Sequence, residues 1–350
     1  MPDLRTYRHR VAQWATGTIG THALRSIIEH PNLDLSAVHV FGADKVGTDA
    51  GDLCGLNPTG ITATNRIEAI LDAAPDCVLY MPAAPDIEQL CRLLGAGINV
   101  VSTCGQFHHP ASIDPALHSV VSDACALGNA TLYATGSSPG FITEAIPLAL
   151  TSVQRRLDLL AIDEYADLSQ RNSPELLFDV MGFGRPPSGP FDERRAAHLQ
   201  ASFGPSLRLV ADAIGLPLDS VLTEGQWGLA AHDTTIRAGQ LAAGTVAAQR
   251  ITVSGLRAGR RLLRFRATWY CCTDLTEDWD LRPTGWHLSV DGDAPLDIDV
   301  RMPIPLDQMA AISPGYTANR AVNAVPFVCA AAPGIHSTLD LPQIVATMNV

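Results

Sequence analysis

The chain has 350 residues, enough for a large core and two domains, with 47% hydrophobic and 17% charged residues. Its net charge of -12 offers no basic surface to nucleic acid or an anionic membrane. No run of about 18 apolar residues is present to span a bilayer, and Met1 to Arg10 is polar and basic, unlike a secretory signal.

The first strand is expected over Val11 to Trp14, followed by Ala15-Thr16-Gly17-Thr18-Ile19-Gly20 and a helix over Thr21 to His30. A strand, a tight turn and a helix in that order cradle the phosphates of a dinucleotide. Gly17 lets the backbone approach the pyrophosphate, Gly20 lets the helix sit close to the strand, and the helix N-terminus offers unpaired N–H groups. Ala15 stands where the first glycine of the usual G-x-G-x-x-G would be. Further strands are read at Leu33 to Phe41, Asp76 to Met81, Asn99 to Ser102 and Thr131 to Thr135. Helices are read between them at Arg66 to Leu71, Asp86 to Leu94 and Asp114 to Leu127. Short apolar strands alternating with helices mean a parallel sheet covered on both faces. The strand ends Met81-Pro82 and Ser102-Thr103 should open onto the cofactor crevice. Beyond the second strand, Lys45 suits the 2′-phosphate of NADP and Asp44 the free ribose of NAD. The choice between NADP and NAD stays open, leaning to NADP.

The character changes after Pro139-Gly140. Helices are expected over Phe141 to Ser152 and Glu193 to Ile214. Long strands are expected at Arg156 to Tyr165, Thr245 to Gly255, Leu262 to Cys271, Trp286 to Val290 and Leu296 to Met302. Hairpin signals between them point to an antiparallel sheet. Phe183 to Phe191 is a Pro/Gly-rich loop suited to a lid or a dimer contact, and Pro314 to Ala332 reads as helix. The fold class is therefore α/β: a Rossmann parallel sheet with a second α+β substrate domain on a mostly antiparallel sheet. The expected divisions are a dinucleotide-binding domain at 1–140, a substrate and dimerisation domain at 141–312, and a segment at 313–350 packing back on the first. None of the eight cysteines forms a C-x-x-C pair, and most sit in apolar runs. A reduced, cytoplasmic protein with no disulfide or metal site is expected.

The segments Ala15 to Gly20 and Gly47-Thr48-Asp49-Ala50-Gly51-Asp52-Leu53-Cys54-Gly55 resemble the N-terminal domain of dihydrodipicolinate reductases. The paired histidines, lysine and Ser-Gly-Thr turn of those enzymes are missing. Instead Glu164 to Asp167, Asp179 to Gly184 and Gly315 to Arg320 resemble 2,4-diaminopentanoate dehydrogenases and native amine dehydrogenases, over nearly the whole chain. The resemblance implies NAD(P)H use, interconversion of an amine with a carbonyl plus ammonia, and a homodimer. It also implies that Ser138, Pro139 and Phe141 line the substrate. One position departs: Gln106 stands where these relatives carry the glutamate that handles the proton on the amine. A neutral amide bonds a nitrogen but neither takes its proton nor offsets an iminium charge.

His108 and His109 follow at the same strand end and are the natural substitutes, since histidine titrates near neutrality; they equally suit loop residues bonding backbone. Tyr165 either presents its hydroxyl to the substrate or is a core residue with a satisfied tip. Asn319 and Asn323 share a helix face, and Asn323 suits the nicotinamide amide or a local cap. Trp227, His232, Trp286 and His287 suit a pocket or the core. The expected function is hydride transfer to or from a C=N carbon of a small substrate. The alternatives are a carbonyl or C=C reductase on the same scaffold, or an inactive nucleotide-binding sensor.

Overall fold

The computed structural model describes residues 7–187, 191 and 193–348. The N-terminal stretch forms β1 (His9–Trp14), α1 (Thr18–Glu29), β2 (Leu33–His39), α2 (Ala50–Cys54), α3 (Ile67–Asp72), β3 (Cys77–Tyr80), α4 (Ile87–Gly95), β4 (Asn99–Ser102), α5 (Pro115–Gly128) and β5 (Thr131–Ala134). There follow α6 (Ile146–Thr151), β6 (Leu157–Asp167), α7 (Glu193–Ala213), β7 (Ser220–Leu229), β8 (Thr234–Ile236), β9 (Gly239–Leu241), β10 (Val246–Arg257), β11 (Arg260–Tyr270), β12 (Gly285–Gly292), β13 (Leu296–Arg301) and α8 (Leu306–Ile312). The chain ends with α9 (Pro314–Cys329) and β14 (Gly334–His336). Two compact units result, one from the described parts of 1–141 and 313–350, the other from 142–312.

In the first unit six strands pair in the order β14-β5-β4-β3-β1-β2, all in parallel. Strands as apolar as Cys77–Tyr80, buried throughout, are stable only when helices cover both faces. On one face lie Ile67, Ile70, Leu90, Leu93 and Val121 of α3, α4 and α5. On the other lie Ala23 and Ile27 of α1 with Ala318, Ala321, Val322 and Val325 of α9. Each large aliphatic side chain buried this way contributes about 1.5–3 kcal/mol. Boundaries are set by caps: Asp114 accepts from the amides of Ala116 and Leu117 to start α5, and Asn129 ends it at φ 53°. The helix after the first turn begins at Thr18, three residues earlier than its hydrophobic pattern suggests. β14 adds a sixth strand that three residues behind Pro333 do not advertise.

The second unit is a six-stranded sheet in the order β13-β12-β6-β11-β10-β7, with β8 and β9 as a separate hairpin. It is antiparallel except for β6 and β11, which run parallel. The stretch expected as helix from Phe141 enters through Ser137–Ala145, where Ser138, Pro139 and Gly140 are non-helical; α6 then begins at Ile146. Leu263, Phe265 and Ala267 of β11 are buried, with Phe265 stacked on Phe203 of α7 at 3.8 Å. The alternate positions carry Arg264 and Arg266, which pair with buried Asp163 at 2.7 Å each. The apolar positions of this strand are therefore covered within the unit. Cys271 and Cys272 follow the end of β11 instead of lying on it, and the Cys272 thiol donates to the Asp274 carbonyl.

Of the Pro/Gly-rich loop from Phe183 to Phe191, residues 188–190 lie outside the described residues, as do 1–6 of the polar N-terminal stretch. The start of that loop is stitched to β10, since Gly184 donates to Val246 O and Val246 donates to Arg185 O. Among the described residues no helix is long and apolar enough to cross a membrane, and no group of three or more His, Cys, Asp or Glu could hold a metal ion.

Candidate active site

The aligned C-terminal ends of β1, β3, β4 and β5 form one edge, with Trp14 beside Tyr80, Tyr80 beside Ser102, and Ser102 beside Ala134. The turn Ala15 to Gly20, Met81-Pro82 and Ser102-Thr103 all leave from this edge, so the structure brings the cofactor candidates of these strands together. Ala15 has φ 74°, a left-handed conformation that costs a non-glycine residue about 1–2 kcal/mol. Its carbonyl is held by the side-chain amide of buried Gln13 at 2.8 Å, and its amide donates to His39 O. A Cβ on Gly20 would stand 2.1 Å from that same carbonyl oxygen, which is why α1 demands glycine there. Gln13 was not among the candidates; its signal is a polar residue inside an otherwise apolar strand.

At Gly17 the space is open. A Cβ there would meet no protein atom within 4 Å. Gly17 caps α1 without any side-chain hydrogen bond to the helix, so the first-turn amides of Thr18, Ile19 and Gly20 lie at an uncapped N-terminus. Lys45 reaches this turn: its ammonium donates to Thr16 O at 2.8 Å and to Thr16 Oγ1 at 3.3 Å. A nearby cation, free amides and room at Gly17 fit a dinucleotide phosphate. Asp44 by contrast is exposed. Phe41, beyond β2, is 59% exposed with its ring edge-on to His39.

The motif from Gly47 to Gly55 is explained by Asp49. Its Oδ1 accepts from the amides of Gly51 (2.7 Å) and Thr59 (2.8 Å), and Oδ2 accepts from Gly60 N (2.8 Å). Those bonds, led by the one from Thr59, hold its carboxyl below the usual carboxylate range. A Cβ on Gly51 would stand 2.1 Å from Asn57 O, so this loop closes only around glycine.

After β4, Gly105–Phe107 forms a tight helical turn with Gln106 partly exposed. His108 and His109 are 1% and 6% exposed, and His109 Nδ1 shares a 2.6 Å hydrogen bond with Ser112 Oγ. After β5, Ser138 and Thr135 each carry a buried hydroxyl with no hydrogen-bond partner. Gly140 (φ 118°) leaves room for Thr135 and for the ring of His108, 3.1 Å and 3.5 Å from where its Cβ would be. The neighbouring Ser137 hydroxyl bonds Thr317 of α9 at 2.7 Å, and the guanidinium of Arg320 lies 5.9 Å from the Phe141 ring. Gln106, His108, Thr135 and Ser138 thus belong to adjoining loops at the edge that carries the glycine turn. Asn323 lies on α9, one turn beyond Asn319, which accepts from Ser26 of α1 at 2.8 Å.

In the second unit Tyr165 is 3% exposed and packs with Ala248 and Tyr270. Burial raises its pKa and nearby Asp163 adds to this, with Arg266 partly offsetting, so it is a neutral phenol at pH 7. It lines a cavity of about 520 Å³ together with Arg282, Gly285, Trp286, His287 and Asp299. There His287 Nδ1 and Arg282 both bond Asp299 Oδ1 at 2.8 Å. Trp227 instead stacks near Phe191, and His232 is a surface partner of Asp274. Glu144, absent from the candidates, is wholly buried and accepts from Ser206 Oγ at 2.5 Å.

The fold is that of a Rossmann-type α/β protein with an uncapped helix N-terminus after its first strand. A solved amine dehydrogenase from Mycobacterium smegmatis superposes with a TM-score of 0.77 at 19% identity, over 98% of each chain. Residues 192–350 match the 2,4-diaminopentanoate dehydrogenase C-terminal domain. An amine dehydrogenase from Streptomyces virginiae is 28% identical over 94% of this chain and 95% of its own length. The chain is thus similar to amine dehydrogenases in sequence and in fold.

Proposed function

We propose that the chain holds NADP(H), or NAD(H), on the Ala15 to Gly20 turn and exchanges a hydride with the C=N carbon of a small imine or amine. The observation that carries this reading is the open, uncapped turn at Gly17, in a chain homologous to amine dehydrogenase. A nicotinamide dinucleotide supplies or accepts the hydride when bound. The amides of Thr18, Ile19 and Gly20 would face its pyrophosphate, and Lys45 beside Thr16 favours a further phosphate over a free ribose. Met81, Pro82, Ser102, Thr103 and Asn323 would contact the rest of it. Ser138 and Phe141 would orient the substrate, with Pro139 shaping their turn, while Gln106 donates to its nitrogen or oxygen. His108 and His109, on the loop that carries Gln106, are the candidate proton carriers of the first unit, and Tyr165 is the second unit's candidate donor. We further propose a homodimer, with 142–312 supplying substrate and dimer contacts.

Gln106 favours a second reading, reduction of a C=O group. An amide N–H donates well to a carbonyl oxygen but cannot accept the proton an ammonium must lose. The experiment is amine-dependent reduction of NAD(P)+ set against ammonia-dependent and ammonia-independent oxidation of NAD(P)H with ketones. Turnover with amines, or with ketones only when ammonia is present, supports the first reading. Ketone reduction indifferent to ammonia replaces it with the second, and no turnover with either class removes both.

A further inference from the structure

At the β13 margin of the second unit's sheet lies the cavity of about 520 Å³ that Tyr165 lines. Register explains why it is hollow. Tyr165 of β6 lies opposite Gly285 of β12, and Gly285 lies opposite Arg301 of β13. Residues opposite one another share a face of the sheet, so the row from Tyr165 to Arg301 lacks a side chain at its middle position. Only glycine fits there: its φ is 150°, and a Cβ would stand 2.5 Å from Val300 O. The neighbouring row supplies a wall, with His287 opposite Asp299. The rim segment before β12 is tied down, since the Tyr270 hydroxyl donates to Arg282 O at 2.7 Å and Asp167 N donates to Thr284 Oγ1 at 3.0 Å.

The charges around this hollow come in both signs: Arg282, Arg301, Asp280 and Asp299 all line it. Arg282 Nη1 and His287 Nδ1 converge on Asp299 Oδ1 at 2.8 Å each. These partners, His287 first, hold the Asp299 carboxyl below the usual carboxylate range, and its Oδ2 takes no part in the two bonds. The ion pairs of Arg282 with Asp299 (2.8 Å) and Asp280 (3.8 Å) leave the exposed Arg301 out. Arg301 and Asp299 sit two positions apart on β13, hence on one face, with their Cα atoms about 7 Å apart.

An anion alone would face Asp280 and Asp299 here, and a cation alone would face Arg282 and Arg301. A molecule that carries both charges one carbon apart meets each group with its opposite. We propose that this cavity is a binding site for a free α-amino acid, with its carboxylate on Arg301, its ammonium on Asp299 Oδ2 and its side chain over Gly285 toward Tyr165. The volume falls in the range of small-molecule sites, and fixed walls lower the ordering cost of binding. The site takes no part in hydride exchange and fills with or without a dinucleotide.

The test is calorimetric titration of the whole protein, free of dinucleotide, with glycine, L-leucine and L-phenylalanine. At least one should saturate it. The one that binds most tightly should bind about tenfold or more better than the same molecule lacking its amine or lacking its carboxylate, a comparison that wild type supplies even if a variant fails to fold. Arg301→Ala and Asp299→Asn should each weaken it by about tenfold or more, the loss of one charge-assisted contact. Gln106→Ala, at the edge of the first unit, should leave it unchanged. No saturation by any of the three, equal binding of the molecules with one charge, or full affinity in Arg301→Ala overturns the proposal. Loss of binding in Gln106→Ala also overturns it, by placing the amino acid with the substrate instead.

Discussion

The ammonium of Lys45 sits 2.8 Å from the carbonyl oxygen of Thr16, so a cation from beyond β2 is fixed against the turn that follows β1. With the open space at Gly17, this contact makes the expected cofactor site testable residue by residue.

Gly17→Val should abolish binding of NADPH and NADH while leaving the melting temperature nearly unchanged. The backbone there is extended at φ -72°, and the added side chain enters space empty of protein. Quenching of protein fluorescence on titration reads the binding; micromolar affinity retained in the variant removes the assignment. Gly20→Ala should instead destabilise the fold, because its methyl carbon would stand 2.1 Å from Ala15 O.

Lys45→Ala should weaken NADPH by about tenfold more than NADH, the loss of one charge-assisted phosphate contact. Calorimetric titration of both cofactors checks it. Equal losses would mean the ammonium only braces Thr16.

Asp49→Asn should lower the melting temperature at neutral pH. The folded-state carboxyl titrates below its ordinary value of 3.8, so its contribution is fully present above that value and is lost as pH falls through the folded pKa. The gap between wild type and variant should therefore be constant from pH 7 to pH 5 and close below pH 3.8. Melting curves across that range decide; a gap that widens on acidification contradicts the assignment.

How far the sequence speaks depends on whether a partner is local. The parallel sheet was legible because each short strand carries its own apolar run, and the strand-to-helix turn after β1 because Gly17 and Gly20 bracket it. Asp49 was legible only as part of a motif: its role rests on Thr59 and Gly60, across a loop whose closure around Gly51 no spacing announces. The bond between Ser137 and Thr317 joins residues 180 apart, and the Cys329 thiol reaches the carbonyl of Asp76 across a greater span. Periodicity found β11 but not its two faces: Phe265 stacks on α7 while Arg264 and Arg266, in register with β6, meet Asp163.

Gln106→Glu should raise amine-dependent NAD(P)+ reduction by about tenfold or more over a panel of short amines. A carboxylate at this partly exposed position adds both a proton acceptor and a charge to offset an iminium. His108→Ala and His109→Ala test whether an imidazole already carries the proton; wild-type activity that is strong and unimproved by glutamate would place proton transfer elsewhere.

Light scattering at micromolar protein should give a dimer mass. Since the apolar positions of β11 are covered, the association is expected to be polar and salt-sensitive, through the face that carries Arg250, Arg264 and Arg266. A monomer at low salt refutes it.

β14 pairs with β5 through Gly334, Ile335 and His336, and α9 covers the sheet face that α1 only half fills. A ribosome therefore releases the opening 141 residues with one sheet margin unpaired and a patch of aliphatic side chains bare, and must make 171 more before the covering pieces emerge. During synthesis this chain carries an adhesive intermediate that a chaperone would be expected to shield. A stop codon shortly before Ser313 should accordingly yield aggregate, with the loss falling on the opening unit although every residue of its first five strands has been made.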